Sequence, residues 1–273
     1  MNHIFKGFGP NNPKYLVKFI IETLHLELNE SKNTNIYIKE NFDETNSQLM
    51  FNDYLQLFRK QNKSIISDLF FGILCQINQC CNCGIQTYKY EKYYFLEFPL
   101  EEVLQMKLNN QYNNFQTNYN MNYMNFNINE INLYDCFDYN KKINIQNSIY
   151  CNYCKQISQF SFCKCLTSGP NILILIFDKE KEIKVQNKFY FFENLNLDNY
   201  IEYKDAGSKY KLIGVINQIY EDNNSNKFMA YCRDPLNEKW YQYNDTIINE
   251  VKNFEKEILN YKHYLLFYQL DSC

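Results

Sequence analysis

Two C-x-x-C pairs constrain this chain more strongly than any other feature of its sequence. Cys80 and Cys83 form the first pair, in "CCNC", and Cys151 and Cys154 form the second, "CNYC". Each pair sits on a tight turn that can point two thiolates at one ion, and two such pairs complete the four-thiolate tetrahedron of a structural zinc site. The spacing therefore predicts a zinc ion held by these four cysteines.

The separation of the pairs and the other cysteines leave alternatives open. Residues 84–150 lie between the pairs, which is more than a compact zinc ribbon needs, although a flexible loop adds closure cost only slowly with length. The four residues could instead be ordinary buried cysteines or decayed ligands. Cys81 and the C-x-C pair Cys163 and Cys165 could compete as ligands, although their spacing suits a knuckle less well. Four further cysteines have no partner at ligand spacing and are expected to be apolar core residues: Cys75, Cys136, Cys232 and Cys273.

The charge balance argues against a nucleic-acid partner. The 273 residues include 28 basic and 31 acidic side chains, for a net charge of -3. Recognition of nucleic acid usually starts from a clustered basic surface. We therefore expect a protein partner or none.

The apolar segments are too short for a membrane-spanning helix. The longest wholly apolar run is Ile172–Phe177, whereas a spanning helix needs about 20 such residues. The first thirty residues also lack the succession of basic, apolar and small residues of a signal peptide. We expect an intracellular protein, cytoplasmic or nuclear, without a membrane partner. Its eleven cysteines then stay reduced and available for metal binding or catalysis.

Two helices are predicted early in the chain. Residues 12–29 begin with Asn12, a good N-cap, and Pro13, which is favoured at the first helical position. A second helix is expected from Ser47 to Lys60. The first helix is amphipathic, because its apolar residues recur at helical spacing: Leu16, Phe19, Ile20, Leu24 and Leu28.

Strand-like segments dominate the rest of the chain. Thr87–Leu100 places aromatic residues among charged ones, whereas ten of the 21 residues of Asn109–Asn129 are Asn and show no usable period. We interpret the latter as a disordered insertion within a low-complexity segment, 104–130. Early helices and late strands predict an α+β fold with a mostly antiparallel sheet. The further predicted strands are Ile172–Phe177, Tyr210–Ile219, Phe228–Arg233, Trp240–Asn244 and Tyr264–Gln269.

Ten segments occur in an order that is typical of one protein family. They are "LVKFIIETLHLELN", "CCNCG", "FLEFPL", "LYDCFDY", "YCNYC", "GPNILILIF", "YKLIGVINQIY", "KFMAYCR", "KWYQYND" and "YLLFYQ". This order resembles the ubiquitin-specific proteases, which are papain-like cysteine isopeptidases. The resemblance implies one domain over 1–273 with a right-hand fold: a partial thumb in 1–68, and zinc-ribbon fingers and an antiparallel-sheet palm in 69–273. It also implies ubiquitin or a ubiquitinated protein as the partner.

By this resemblance, one of the three expected catalytic residues is present. The family's nucleophilic cysteine lies in a box before the first matched segment, and no cysteine precedes Cys75 here. The segment "SNKFMAY" places Lys227 at the position of the catalytic histidine. Asn244, beside Asp245, falls on the third position, an Asp or Asn. Gln218 replaces a second histidine that is often found in the preceding strand.

Lysine is a poor substitute for the histidine base. The base must accept the cysteine proton near neutral pH, which suits imidazole with its reference pKa of about 6.5. A lysine amine, with a reference pKa of about 10.4, keeps its proton unless it is deeply buried. We therefore expect Lys227 to be non-functional as a base.

Four prominent side chains also have ordinary structural explanations. His25 lies in the first predicted helix and is expected to be structural. Trp240, the single tryptophan, is expected to anchor the core. Asn244 and Asp245 could simply close a turn.

Three hypotheses about function follow. The leading one is a ubiquitin-specific-protease-like pseudoenzyme that acts by ubiquitin binding or as a scaffold. The second is an active thiol-dependent deubiquitinase whose cysteine box lies on a missing N-terminal segment. The third is a zinc-stabilised structural module without affinity for ubiquitin. Reaction with an electrophilic ubiquitin probe and binding of ubiquitin distinguish them.

Overall fold

A computed structural model describes residues 12–31, 41–42, 47–117, 130–178, 188–204, 207–220, 226–259 and 263–271. Its helices are α1 (Pro13–Leu28), α2 (Ser47–Gln61), α3 (Ile65–Phe70), α4 (Leu100–Thr117), α5 (Leu133–Lys141) and α6 (Phe254–Glu257). Within these ranges, no helix combines the length and the apolar character needed to cross a bilayer.

The strands follow the chain in this order: β1 (Asn41–Phe42), β2 (Gly72–Cys80), β3 (Gln86–Tyr93), β4 (Leu96–Pro99), β5 (Glu130–Asn132), β6 (Asn144–Cys151), β7 (Gln156–Ser168), β8 (Ile172–Asp178), β9 (Lys188–Tyr190), β10 (Asn194–Asn196), β11 (Lys209–Tyr220), β12 (Asn226–Arg233), β13 (Trp240–Asn244), β14 (Ile247–Glu250) and β15 (His263–Leu270). They form a five-stranded sheet, an eight-stranded sheet and a small parallel pair, β5 with β9.

Helix α1 forms as predicted, but it turns a different face to the core. The Asn12 side chain caps it by accepting a hydrogen bond from the backbone N–H of Lys14. Ile21 is buried and packs in one cluster with Ile66 of α3. The predicted apolar stripe lies instead on the accessible side of the helix, with exposed fractions of 36% to 48%: Leu16, Phe19, Ile20, Leu24 and Leu28.

His25 joins α1 to α3 through a buried polar contact. Its Nδ1 lies 2.7 Å from Oγ of Ser64, the residue that caps α3 by accepting from the backbone N–H of Ser67. The imidazole also packs on Phe71, with ring centroids 4.8 Å apart. The predicted structural role of His25 is confirmed.

The five-stranded sheet is antiparallel throughout, in the order β1-β3-β2-β7-β6. Helix α2 covers it by packing Met50, Phe51 and Tyr54 in one cluster with Cys75 and Tyr90 of the sheet. Cys75 is thus a core residue, as predicted, and burial raises the pKa of its thiol to about 12.

The eight-stranded sheet contains all five late strands that the sequence predicts. Its order is β14-β13-β12-β11-β15-β8-β4, with β10 also paired to β11, and its one parallel pairing is β4 with β8. This confirms the α+β class with mostly antiparallel sheets. The main core lies against this sheet and includes Trp240, which packs on Phe254 of α6 with ring centroids 5.3 Å apart. The predicted core role of Trp240 is confirmed.

The predicted strand Thr87–Leu100 is in fact two strands in two different sheets. β3 ends at Tyr93 and pairs with β2, whereas β4 begins at Leu96 and pairs with β8. Buried residues continue across the break: Tyr90 of β3 packs in the cluster under α2, whereas Tyr93 shares the main core with Leu96 of β4. A pattern of buried and exposed residues does not specify which sheet a strand joins.

The prediction of disorder from Asn109 onward is wrong for residues 109–117. These residues continue helix α4, which ends at Thr117, and residues 118–129 lie outside the described part of the chain. Leu100 and Val103 are buried at the start of the helix. This tertiary anchor offsets the cost of helix nucleation, so the helix extends into an Asn-rich stretch.

Candidate functional site

The first C-x-x-C pair lies where β2 turns into β3. Cys80 is the last residue of β2, and its carbonyl accepts a hydrogen bond from the backbone N–H of Gly84 at 2.8 Å. Gly84 has φ of 73°, in the left-handed region that glycine adopts without steric cost. The tight turn thus brings Cys80 and Cys83 to the same tip of the sheet.

The second pair repeats this geometry at the turn from β6 to β7. Cys151 ends β6, and its carbonyl accepts from the backbone N–H of Lys155 at 2.9 Å. Lys155 occupies the same left-handed region, with φ of 57°. Cys151 and Cys154 therefore have the same relative placement on their turn as Cys80 and Cys83 have on the first.

The two turns bring the four predicted ligands together. The Sγ atoms of Cys80, Cys83, Cys151 and Cys154 all lie within 4.8 Å of one another, and those of Cys83 and Cys151 are 3.7 Å apart. A tetrahedral zinc with Zn–S bonds of about 2.3 Å separates its sulfurs by about 3.8 Å. The residues present therefore fit a structural zinc ion.

Polar groups around two of the four sulfurs, those of Cys80 and Cys154, favour the thiolates that a metal requires. Backbone N–H groups of Cys83 and Asn82 lower the pKa of the Cys80 thiol. The Asn82 side chain, followed by the hydroxyl of Ser158, lowers the pKa of Cys154. The sequence reasoning missed Asn82 and Ser158. Asn82 lies within the first turn and Ser158 lies just after the second, so their closeness to the cysteines in the sequence could have identified them.

The remaining described cysteines lie apart from this cluster. Cys81 is exposed in the first turn, and Cys163 and Cys165 lie within β7. Within the described ranges, none of these three joins the four-sulfur group. Cys136 is a fully buried core residue, as predicted. Cys232 is exposed on β12, so its prediction as an apolar core residue is wrong. Cys273 lies outside the described residues.

Lys227 and Asn244 share one face of the eight-stranded sheet. Tyr231 of β12 pairs with Gln242 of β13, and side chains two residues apart on a strand point the same way. Lys227 lies four residues before Tyr231, and Asn244 two residues after Gln242. The antiparallel pairing places both at the same end of the hairpin.

Asp245 supplies a charged contact to Lys227. It begins the two-residue turn between β13 and β14 with φ of 52°, a conformation that Asp tolerates better than most residues. Its Oδ2 lies 3.7 Å from the Lys227 Nζ, and the two side chains are 82% and 36% exposed, respectively. Asn244 is the last strand residue, so Asp245, and not Asn244, opens the turn.

Two further polar groups frame this end of the hairpin. The Asn244 Oδ1 is buried and has no hydrogen-bond partner among the described residues. Gln218 of β11 pairs with Phe228, the neighbour of Lys227, so its side chain lies on the opposite face of the sheet. The structure therefore brings Lys227, Asn244 and Asp245 together and leaves Gln218 outside the group.

Comparison with known proteins identifies the family. Residues 2–268 match the family described as "Ubiquitin carboxyl-terminal hydrolase". The chain belongs to this hydrolase family. The match includes both C-x-x-C turns and the hairpin of Lys227, so the cysteine cluster and this hairpin lie within one hydrolase-type domain.

Curated ubiquitin carboxyl-terminal hydrolases align with nearly the whole chain. "Ubiquitin carboxyl-terminal hydrolase Usp2" of Drosophila melanogaster is 20% identical over 98% of this chain and 26% of its own length. "Ubiquitin carboxyl-terminal hydrolase 2" of Gallus gallus is 22% identical over 98% of this chain and 70% of its own length. "Ubiquitin carboxyl-terminal hydrolase 21" of Homo sapiens is 23% identical over 97% and 47%, respectively. This chain thus spans less than half of two of these three hydrolases.

Solved structures share the fold. The SAGA Ubp8/Sgf11/Sus1/Sgf73 DUB module bound to ubiquitin aldehyde has a chain that matches with a TM-score of 0.64 at 18% identity. The match covers 100% of the present chain and 52% of that one. A second structure of that module gives a TM-score of 0.65 at 18% identity, covering 98% and 52%. The hydrolase fold is therefore common to these chains and the present one.

Proposed function

We propose that this chain acts in the deubiquitination system by binding ubiquitin or as a scaffold, and that it does not itself cleave ubiquitin conjugates. The proposal rests on Lys227, which the family resemblance aligns with the catalytic histidine and which contacts Asp245. Membership of the hydrolase family supports ubiquitin as the partner.

The surroundings of Lys227 oppose a role as general base. A lysine amine becomes a base near neutral pH when burial removes its proton. The Lys227 side chain is 36% exposed, and its Nζ lies 3.7 Å from a carboxylate oxygen. The side chain therefore lacks the deep burial that would make its amine a base, and an ammonium has no lone pair to accept a thiol proton.

The cysteine on the same strand is also misplaced for nucleophilic attack. Cys232 lies five positions after Lys227 on β12, so its side chain points to the opposite face of the sheet. At 3.4 Å per residue, the two Cα atoms are about 17 Å apart. A nucleophile and its base must lie within hydrogen-bond reach of one another.

Three assays with the full chain test the proposal: labelling, cleavage and binding. Ubiquitin with an electrophilic C-terminus is expected to form no covalent adduct, and a ubiquitin conjugate is expected to stay intact. Titration with ubiquitin, followed by calorimetry or NMR, is expected to show saturable binding.

Each alternative hypothesis has its own outcome in these assays. A covalent adduct or release of ubiquitin would support an active deubiquitinase. Absence of binding at high ubiquitin concentration would support a zinc-stabilised structural module. Lys227→His is the matched variant, and it is expected to remain unlabelled, because Cys232 stays on the far face of the sheet.

A further inference from the structure

The positive charge of Lys227 distinguishes between two forms of ubiquitin, one with a free C-terminus and one with a conjugated C-terminus. Resting on the proposed ubiquitin binding, we infer that Lys227 makes this site select ubiquitin with a free C-terminal carboxylate over ubiquitin joined to another group through an amide bond. The ligand class is a protein chain end that carries a full negative charge. The site would thus hold the product of deubiquitination in preference to its substrate.

The location of Lys227 determines what it meets. The family hydrolyses at the carboxyl terminus of ubiquitin, as its name states. A general base must lie within hydrogen-bond reach of the reacting groups, directly or through one water. A side chain at that same position therefore meets the last carbonyl carbon of a bound ubiquitin tail.

The chemistry of the ammonium then separates the two ligand forms. A conjugated tail presents a neutral amide at this point, whereas a free tail presents a carboxylate. An ammonium–carboxylate hydrogen bond is roughly twice as strong as a neutral one. A neutral imidazole at this position carries no charge with which to make the same distinction.

Asp245 leaves room for a ligand carboxylate to take its place. Its Oδ2 is 3.7 Å from the Lys227 Nζ, beyond the 2.7–2.9 Å or so of a close charge-assisted hydrogen bond. The Asp245 side chain is 82% exposed, and pairs of this kind contribute little because water screens them. Exchange of one carboxylate for another therefore costs little, and Asp245 acts as a weak competitor for the ligand.

Asn244 provides an independent sign that a ligand belongs here. Its buried Oδ1 has no hydrogen-bond partner among the described residues, and leaving a buried acceptor unsatisfied is unfavourable. The oxygen lies on the same sheet face as Lys227. Because the oxygen is buried in the unliganded chain, the Asn244 side chain has to rotate before it accepts a backbone N–H of an incoming tail, while the ammonium receives the terminal carboxylate.

The test compares ubiquitin with the same protein carrying a C-terminal carboxamide. The variants are the native chain, Lys227→Gln and Asp245→Asn, and calorimetry at low salt measures each affinity. The native chain should bind the carboxylate form about 3- to 10-fold more tightly. Lys227→Gln should bind both forms equally, and Asp245→Asn should widen the preference. Raising the salt concentration should narrow it, because ions screen exposed charges.

A matched control and distinct outcomes keep this inference separate from the proposed function. Lys239→Gln removes another exposed lysine paired to a carboxylate, Glu250 at 2.8 Å, and should leave the preference unchanged. Equal affinity of the native chain for both forms would overturn the inference and leave ubiquitin binding intact. A preference for the carboxylate form that survives in Lys227→Gln would have the same consequence. Failure of both forms to bind would overturn the proposed function as well.

Discussion

The Sγ atoms of Cys83 and Cys151 lie 3.7 Å apart although 68 positions separate the two residues. The contact exists because β2 and β6 flank β7 in the five-stranded sheet, so that the turns after both strands fall at one tip. A zinc ion at this tip links the turn between β2 and β3 to the turn between β6 and β7. Removal of the ion would therefore affect strands that are distant in sequence.

Zinc content should depend on Cys83 and not on Cys81. Both residues are exposed in the same turn, but only Cys83 belongs to the four-sulfur cluster. Cys83→Ser is expected to lose the metal and to lower the melting temperature, because three thiolates no longer close the tetrahedral shell. Metal analysis of purified protein and thermal unfolding measure both effects.

Cys81→Ser is the matched control for this prediction. It is expected to retain one zinc per chain and native stability. Loss of zinc from Cys81→Ser, or full zinc in Cys83→Ser, would show that the ligand set is different.

Gly84→Ala should destabilise the first zinc turn. Gly84 has φ of 73°, and no atom lies within 4 Å of the Cβ that alanine would add, so the cost comes from backbone conformation alone. We expect a loss of about 1 kcal/mol or more in the free energy of unfolding. Urea unfolding at saturating zinc measures it.

Gly214→Ala on β11 is the comparison for Gly84→Ala. Its new Cβ would lie 3.5 Å from Phe267, an ordinary contact, and its φ is not positive. We expect a change of no more than about 1 kcal/mol, of either sign. Equal destabilisation by the two substitutions would contradict the role assigned to the left-handed turn.

Stability should fall on mild acidification because of His25. Burial, followed by the charge of Lys92, lowers the pKa of His25 in the folded chain. Between that pKa and the unfolded value of about 6.5, the unfolded state binds a proton that the folded state does not. The free energy of unfolding should therefore decrease as the pH drops below about 6.5.

His25→Asn separates this effect from other titrations. The variant loses stability at pH 8, because the contact with Ser64 is removed, but its stability should decline less between pH 8 and pH 5.5. Denaturant unfolding at several pH values shows the difference. Parallel pH profiles for the two proteins would rule out His25 as the titrating group.

Replacement by serine should destabilise the chain far more at Ile21 than at the adjacent Ile20 of α1. Ile20 is 44% exposed, whereas Ile21 is 4% exposed and packs against α3. Ile20→Ser should alter the free energy of unfolding by no more than about 0.5 kcal/mol. Ile21→Ser should cost about 2–4 kcal/mol, because it leaves a cavity and buries a hydroxyl.

The exposed stripe of α1 should also promote self-association. Contiguous exposed apolar residues favour contacts between molecules. Replacing Leu16, Ile20 and Leu24 together by serine is expected to reduce concentration-dependent association in analytical ultracentrifugation without unfolding the chain. Unchanged association in this variant would show that another surface is responsible.

Features that depend on short stretches of chain were predictable from the sequence. The two C-x-x-C turns identify four residues that the fold brings together, because each turn positions its own pair of sulfurs. Asn12 and Pro13 mark the start of α1, since capping is a local hydrogen bond. The late strands were predictable because each is a short run with its own strand propensity.

Features that depend on distant partners were decided by the tertiary structure. Thr87–Leu100 divides between two sheets, and α1 buries Ile21 instead of its apolar stripe, because a periodic pattern shows which residues share a face but not what covers that face. Helix α4 extends into an Asn-rich stretch because Leu100 and Val103 anchor its start. The contact of Lys227 with Asp245 likewise arises from strand pairing, since the register of β12 against β13 brings Lys227 beside the turn.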